Sequence, residues 1–221
     1  MDTGPLLLSL EVAAIATMIA IVLGVALGAL LAWKKTPGRD IIDAILTAPM
    51  VLPPTVLGYY LLAAIGRHSA IGRAWKAIFD KDIVFTVTGC IVASTIEALP
   101  MVIKSSRTAI EGVDPTLIAA ARTLGAGPVR AFFTVTLPLA APGIIAGATL
   151  GFARALGDFG VTLMIAGDIP GETQTAPLYI YDQVIAGHDN LANGMALLLT
   201  AIAIAAMYLS NTLTRRDRGH H

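Results

Sequence analysis

Asp114-Pro-Thr-Leu-Ile-Ala-Ala-Ala-Arg-Thr-Leu-Gly125 is a short segment punctuated at both ends and set between long apolar runs. Asp114 is a natural N-cap, Pro115 suits the first helical position, and Gly125 can take the left-handed conformation that closes a helix. The stretch therefore reads as one bounded helix whose body carries Ala119, Ala120, Ala121, Arg122, Thr123 and Leu124. An ordered turn of this kind between membrane spans is suited to docking on another protein. Thirteen residues beyond Gly125 comes Pro138, in Thr136-Leu-Pro-Leu139.

The surrounding chain has 221 residues, 56% hydrophobic and 14% charged, with a formal net charge of zero. A soluble domain of this size has about a quarter of its residues charged, so this is a multi-span membrane protein. Neutrality excludes a nucleic-acid footprint. The single Cys90, in an apolar run, permits neither an internal disulfide nor a cysteine metal site, and leaves the redox compartment undetermined. No cleavable signal peptide is expected, because the first apolar run has no basic residue ahead of it and continues to Trp33. Gly219-His-His221 reads as a tag remnant.

A crossing helix needs about 20 apolar residues. Leu6 to Trp33, Ile83 to Ile103, Phe132 to Phe152 and Leu191 to Leu213 qualify. Ile41 to Ile65 is long enough, but Pro49, Pro53 and Pro54 must break it, so it is expected to begin as an irregular or interfacial segment and then become regular helix. Ala155 to Gly167 and Thr175 to Gly187 are short and read as pore-lining or surface helices. The expectation is an all-α membrane protein of about five crossings, a single domain over residues 1–221.

Short loops rich in Lys and Arg stay in the cytoplasm. Five crossings place Lys34, Lys35, Arg39, Lys104, Arg107, Arg122, Arg130, Arg215, Arg216 and Arg218 on one side, against Arg67, Arg73, Lys76 and Lys81 on the other. The N-terminus is then outside, the C-terminus cytoplasmic, and the Asp114 to Gly125 helix cytoplasmic. Two runs carry small residues every four positions: Ala16, Ala20, Gly24, Gly28 and Ala32 in the first, Gly143, Gly147 and Gly151 in the fourth. Such stripes let helices approach closely, within one subunit or across a dimer seam.

Catalytic and metal chemistry is not visible. There is no phosphate-binding loop and no Gly-Lys pair, Gly125-Ala-Gly127 is followed by Pro128 with no strand before it, and His68 and His188 lack metal-like spacing. Ser69, Ser94, Ser105 and Ser106 have no His and Asp constellation around them. Ionisable groups inside spans are informative, since each costs about 2.5–3.5 kcal/mol at a helix centre and so faces protein or water. Glu97 lies in the third span; Arg154 and Asp158, four apart, read as one helical face at the outer end of the fourth. They are expected to wall or gate a translocation path, or to hold helices together as an ion pair.

The helix and the segment after it resemble the ATPase-docking loop of ABC importer permeases, whose pattern is Glu-Ala-Ala, three residues, Gly, nine residues, an aliphatic residue, one residue, Leu-Pro. Ala120, Ala121, Gly125, Val135, Leu137 and Pro138 match, whereas Ala119 stands where the family has Glu, so an ion pair made by that Glu has no counterpart here. Pro49-Met-Val-Leu-Pro-Pro-Thr-Val-Leu-Gly-Tyr-Tyr60, Glu111-Gly-Val-Asp114, Arg122 to Leu139, Phe152-Ala-Arg-Ala-Leu-Gly-Asp-Phe-Gly160 and Ile169-Pro-Gly-Glu-Thr173 further resemble membrane subunits of the molybdate, tungstate and sulfate branch. Asp158 replaces the Glu common in relatives, and an N-terminal span found in some is absent.

The resemblance implies a type I ABC importer permease fold and a multi-pass subunit of a bacterial or archaeal inner membrane. It also implies a homodimer, two cytoplasmic ATP-binding subunits that hold the ATP and Mg, and an extracytoplasmic oxyanion-binding protein. On that reading the chain is not itself an enzyme and holds no cofactor or metal. Asp114, Pro115 and Ala119 to Gly125 dock the ATPase, and Glu97, Arg154, Asp158, Pro53 and Pro54 border the path. Tungstate and sulfate or thiosulfate are alternative substrates. An ATPase-independent secondary anion transporter or channel, and a purely structural membrane subunit, are the alternatives from other classes.

Overall fold

The computed structural model describes residues 3–33 and 38–218. Lys34, Lys35, the Gly219 to His221 end and the side chains of Arg215, Arg216 and Arg218 lie outside the described residues. The chain is helical throughout, with no strand among the described residues: α1 (Gly4–Ala32), α2 (Arg39–Thr47) with a tight 3-10 turn Ala48–Met50, α3 (Pro54–Ile65), α4 (Ala70–Phe79), α5 (Val87–Glu111), α6 (Pro115–Thr123), α7 (Pro128–Ala131), a π-helical turn Phe132–Thr136, α8 (Leu137–Leu156), α9 (Gly160–Ala166), α10 (Ala176–Ile185) and α11 (Asp189–Arg218). The α7 to α8 stretch forms one long span candidate, Pro128–Leu156, beside α1, α5 and Asp189–Leu209.

α5 is the axis of the bundle, and small residues bring its neighbours in. Gly24 of α1 lies against Val102 and Gly28 against Ser106, so the two helices run parallel. On α8, Gly143 faces Ala109, Gly147 faces Ser105 and Gly151 faces Val102 and Ala98, so α8 is antiparallel to α5. Both stripes are therefore used within the subunit. A side chain at either would have to displace its partner: a Cβ at Gly147 would collide with that of Ser105. α11 packs on α10 and α8, with Met195 in one cluster with Ala176 and Tyr179 and Ile202 against another that contains Ala155 and Leu156.

Parallel α1 and α5 require the chain to cross back between them. It does so in two pieces, Arg39–Met50 and Pro54–Ile65, bent by 110°. The break follows from the prolines: Pro53 is forced into an extended conformation (φ −55°, ψ 138°) by Pro54, which then starts α3 at its first position. Twelve residues of α3 reach about 18 Å at a rise of about 1.5 Å each, far short of the roughly 30 Å core, so α3 spans only part of the thickness. Ile65 reaches Ile83 and Val84, at the end of the bundle opposite α6.

The expectation of a pore-lining or surface helix over Ala155 to Gly167 needs correction. α8 stops at Leu156 beside Ala98, halfway along α5, and α9 carries on toward the far end as a buried helix whose Val161, Ile165 and Ala166 are fully covered. α10 likewise buries Ala176, Leu178 and Tyr179, while Tyr181, Val184 and Ile185 are exposed. α9 is a core element because α3 and α8 each leave part of the bundle uncovered, whereas α10 is buried at its start and lies on the surface over its second half, in keeping with the surface reading.

Gly147→Val should overpack the α5 to α8 contact and lower stability by about 1–3 kcal/mol. Gly127→Ala, where nothing lies within 4 Å, should leave it unchanged. Thermal unfolding of the two purified variants checks this; equal midpoints would contradict the close contact.

Candidate functional site

Glu97 lies ten residues into α5, about 15 Å from its start at a rise of about 1.5 Å per residue, and so near mid-membrane depth. Its Oε1 accepts from Arg154 Nη2 at 2.6 Å. The Glu97 side chain is 2% exposed and that of Arg154 38%, so the guanidinium covers the carboxylate and turns its free edge outward from the chain. Asp158 is buried, accepts from Thr162 Oγ1 at 2.6 Å and lies within electrostatic reach of both Glu97 and Arg154. One guanidinium therefore faces two carboxyl groups, and Glu97 Oε2 and Asp158 Oδ1 are buried without a hydrogen-bond partner among the described residues.

Arg154 and Asp158 do not share a helical face at an outer end, contrary to the sequence expectation. Asp158 sits beyond the Gly157 C-cap, in the break between α8 and α9, and the direct partner of Arg154 is Glu97. Thr162 was missed, although an Asp followed four residues later by Thr inside an apolar run is a local signal for such a bond.

Pro53 and Pro54, both exposed, meet this level from another side. A Cβ at Gly160 would stand 2.7 Å from the Pro54 Cβ, so the break of the second crossing abuts the break of the fourth, close to Asp158. Lipid does not tolerate irregular backbone, which occurs at depth only where it is buried in protein or borders a water-filled cavity. Two adjoining breaks, exposed prolines and a half-exposed guanidinium together mark a polar-lined face at mid-depth.

The second site is α6. The Asp114 Oδ1 accepts from the Thr116 N–H at 2.8 Å, which holds the carboxyl below its usual range. Gly125 is left-handed (φ +87°), and Ala126 N–H donates to Ala121 O while Gly125 N–H donates to Arg122 O, the paired bonds of a Schellman closure. Pro115, Ala119, Ala120, Arg122, Thr123 and Leu124 are exposed and Ala121 half-buried, with Leu124 88% exposed and Leu117 also bare. Val113 and Ile118 tether this helix to Ala140 and Ile144.

A set of ion pairs that sequence reading did not find flanks α6. Arg107 contacts Asp43 at 3.0 Å and Glu111 at 3.1 Å, and Arg39 contacts Glu111 at 2.6 Å. They clamp α2 to the last turn of α5, three residues before the Asp114 cap. The only local signal was the Arg107 and Glu111 spacing of four; the α2 partners are 64 and 72 residues away. Among the described residues no cluster of His, Cys, Asp and Glu could hold a metal ion.

Breaks in two crossings at depth, with a doubly capped exposed helix at one end, are the features of a membrane transport subunit. The chain belongs to the family of binding-protein-dependent transport system inner membrane components, which matches residues 20–216. It is 40% identical over 213 residues to the molybdenum transport system permease protein ModB of Escherichia coli (strain K12), covering 96% of this chain and 93% of that one. The ModB of Haemophilus influenzae is 38% identical over 217 residues, covering 98% and 95%. The ModB of Mycobacterium tuberculosis is 41% identical over 204 residues, covering 90% of this chain and 74% of its own.

Among solved structures, the inward-facing MetNI methionine ABC transporter superposes with a TM-score of 0.74 at 18% identity, covering 96% of this chain and 94% of that one. A bacterial ABC transporter involved in import of the acidic polysaccharide alginate gives 0.74 at 14%, covering 96% and 78%. These likenesses establish the type I importer permease fold.

Removing Arg154 should leave the covered Glu97 carboxylate unpaired. Arg154→Ala is expected to destabilise the chain by about 3 kcal/mol, the lower end for a broken buried pair because Arg154 is partly solvated. Thermal unfolding of Arg154→Ala, Glu97→Gln and the double variant should give a coupling above about 1 kcal/mol. Additive effects would show that the contact carries no weight.

Proposed function

We propose that this chain is the membrane-spanning permease of an ATP-driven molybdate importer. It works as a homodimer with two cytoplasmic ATP-binding subunits and an extracytoplasmic oxyanion-binding protein. The observation that carries the reading is α6: it is capped at both ends, stands off the bundle, and offers Leu117 and Leu124 uncovered. The identity to molybdenum permeases over nearly the whole chain supports the cargo. Docking at α6 is then mainly a matter of shape and apolar contact, since Ala119 supplies no charge.

The mechanism is alternating access. Closure of the ATPase dimer moves α6, and the bundle switches which end is open. Glu97, Arg154, Asp158, Pro53 and Pro54 border the path where α3 and α8 are interrupted. A dianion passing an isolated guanidinium would be held. Arg154 is paired with Glu97 and has Asp158 nearby, so its field is mild, and cargo selection falls to the binding protein. ATP and Mg belong to the ATPase subunits, and this chain needs no cofactor of its own. The basic loops orient the α6 end to the cytoplasm and the N-terminus outward.

Three measurements test this. A reporter fused after Trp33 or at the C-terminus should read cytoplasmic and one at Ser69 external; the reverse would put α6 on the wrong side for an ATPase. In the purified complex, the binding protein with molybdate should stimulate ATP hydrolysis more than with sulfate, whereas transport with no associated ATPase would sink the reading. Gly125→Val places a side chain at φ +87°, a strain of about 1–2 kcal/mol. The dimer should still assemble while ATP hydrolysis and uptake come apart; normal stimulated uptake would show that the turn is only a loop.

A further inference from the structure

The helix α4 follows α3 at the end of the bundle opposite α6, away from the breaks at mid-depth. It is bounded by its own caps: Ser69 Oγ accepts from the Gly72 N–H at 2.8 Å, and Asp80 closes the other end in a left-handed conformation (φ 53°). Gly72 is its point of close approach, since a Cβ there would meet the Gly66 carbonyl oxygen. Ile71, Trp75, Ile78 and Phe79 fall at helical spacing on one side. Ile71, Ile78 and Phe79 are exposed, Ile78 to 74%, and Trp75 lies half-buried with its ring 4.1 Å from that of Phe79. Arg73 and Lys76 occupy the opposite side of the same helix.

The flanking turns add more charge. Arg67 Nε and Lys76 Nζ share Asp82 at 3.0 and 3.5 Å, and Arg73 Nη1 donates to the His68 carbonyl at 2.6 Å. With Lys81, and against Asp80 and Asp82, the segment from Arg67 to Asp82 carries two more cations than anions. Both Arg67 and Lys76 are more than half exposed, so their pairs are weak and open to exchange for another anion. Beside them is a cleft of about 430 Å³ lined by Leu62, Gly66, Arg67, His68, Ser69 and Phe85. Apolar and aromatic groups on one face, cations on the other, and a position just past the end of the α3 apolar helix fit a membrane boundary.

We infer that α4 is an interfacial anchor whose apolar face lies in the acyl boundary and whose Arg67, Arg73 and Lys76 bind the phosphate of an anionic phospholipid. A soluble partner is the poorer occupant. Whenever it dissociated it would return this stripe of large apolar side chains to water, whereas lipid covers it permanently and continues over the apolar outside of the bundle. The inference concerns a different surface from the path and α6, and stands independently of the cargo.

The chain has two tryptophans, so Trp33→Phe leaves Trp75 as the sole reporter. The full-length variant is reconstituted in phosphatidylcholine vesicles containing either phosphatidylglycerol or phosphatidylcholine brominated near the acyl carbonyl. Brominated phosphatidylglycerol should quench Trp75 at least about twofold more strongly than brominated phosphatidylcholine at equal mole fraction, because each cation enriches anionic lipid nearby. Iodide on both sides of the membrane should quench little. Adding Arg73→Gln and Lys76→Gln should erase the difference between the lipids. Equal quenching by the two lipids in the Trp33→Phe chain would overturn the headgroup assignment. Strong iodide quenching without bromolipid quenching would overturn the anchor and leave the face to a soluble partner.

Discussion

The close approach of α1 and α8 to α5 is the constraint on which the rest of this structure depends. Gly24 and Gly28 on one side, and Gly143, Gly147 and Gly151 on the other, leave no room for side chains between backbones. In lipid, where apolar burial drives little helix association, such contact is a main source of cohesion. It also fixes direction: α1 and α5 are parallel, so the chain must recross between them, and it recrosses through a proline-broken pair. A straight helix would have done so at lower cost. That the crossing is broken, and that its break abuts the one after α8, places irregular backbone at mid-depth, which occurs only where it is buried in protein or borders a water-filled cavity.

The two candidate sites are connected through the same geometry. α6 follows α5 by three residues, and the Arg39, Asp43, Arg107 and Glu111 clamp ties that end of α5 to α2. α2 leads through the turn at Ala48–Met50 to Pro53 and Pro54, and Pro54 touches Gly160, two residues past Asp158. A displacement of α6 thus has a continuous line of contacts to the level of Glu97 and Arg154. The four side chains are partly buried, and their partners come from two helices, so the clamp is suited to holding register between α2 and α5.

Local sequence determined a good deal. The limits of α6 were legible because capping depends on Asp114, Pro115 and Gly125 alone, within a few residues of the helix they bound. Four crossings were legible from length and apolarity, and the interruption of the second from its prolines. The small-residue stripes told that helices would approach closely, since a period of four is itself a face.

What sequence could not supply was which face meets which partner. Arg154 had an acidic residue four positions on and another 57 positions back; only the termination of α8 at Leu156, which swings Asp158 out of helical register, chose Glu97. Likewise the short apolar runs around Val161 and Leu178 look alike whether they coat a surface or fill a core. The run around Val161 fills it because α3 and α8 end part-way, leaving a space defined by other segments of the chain, whereas α10 keeps its second half on the surface. Caps, periods and breaks are properties of contiguous residues and are written in order along the chain. Depth, register and ion-pair partnership arise from distant residues brought together, and were decided by the tertiary structure.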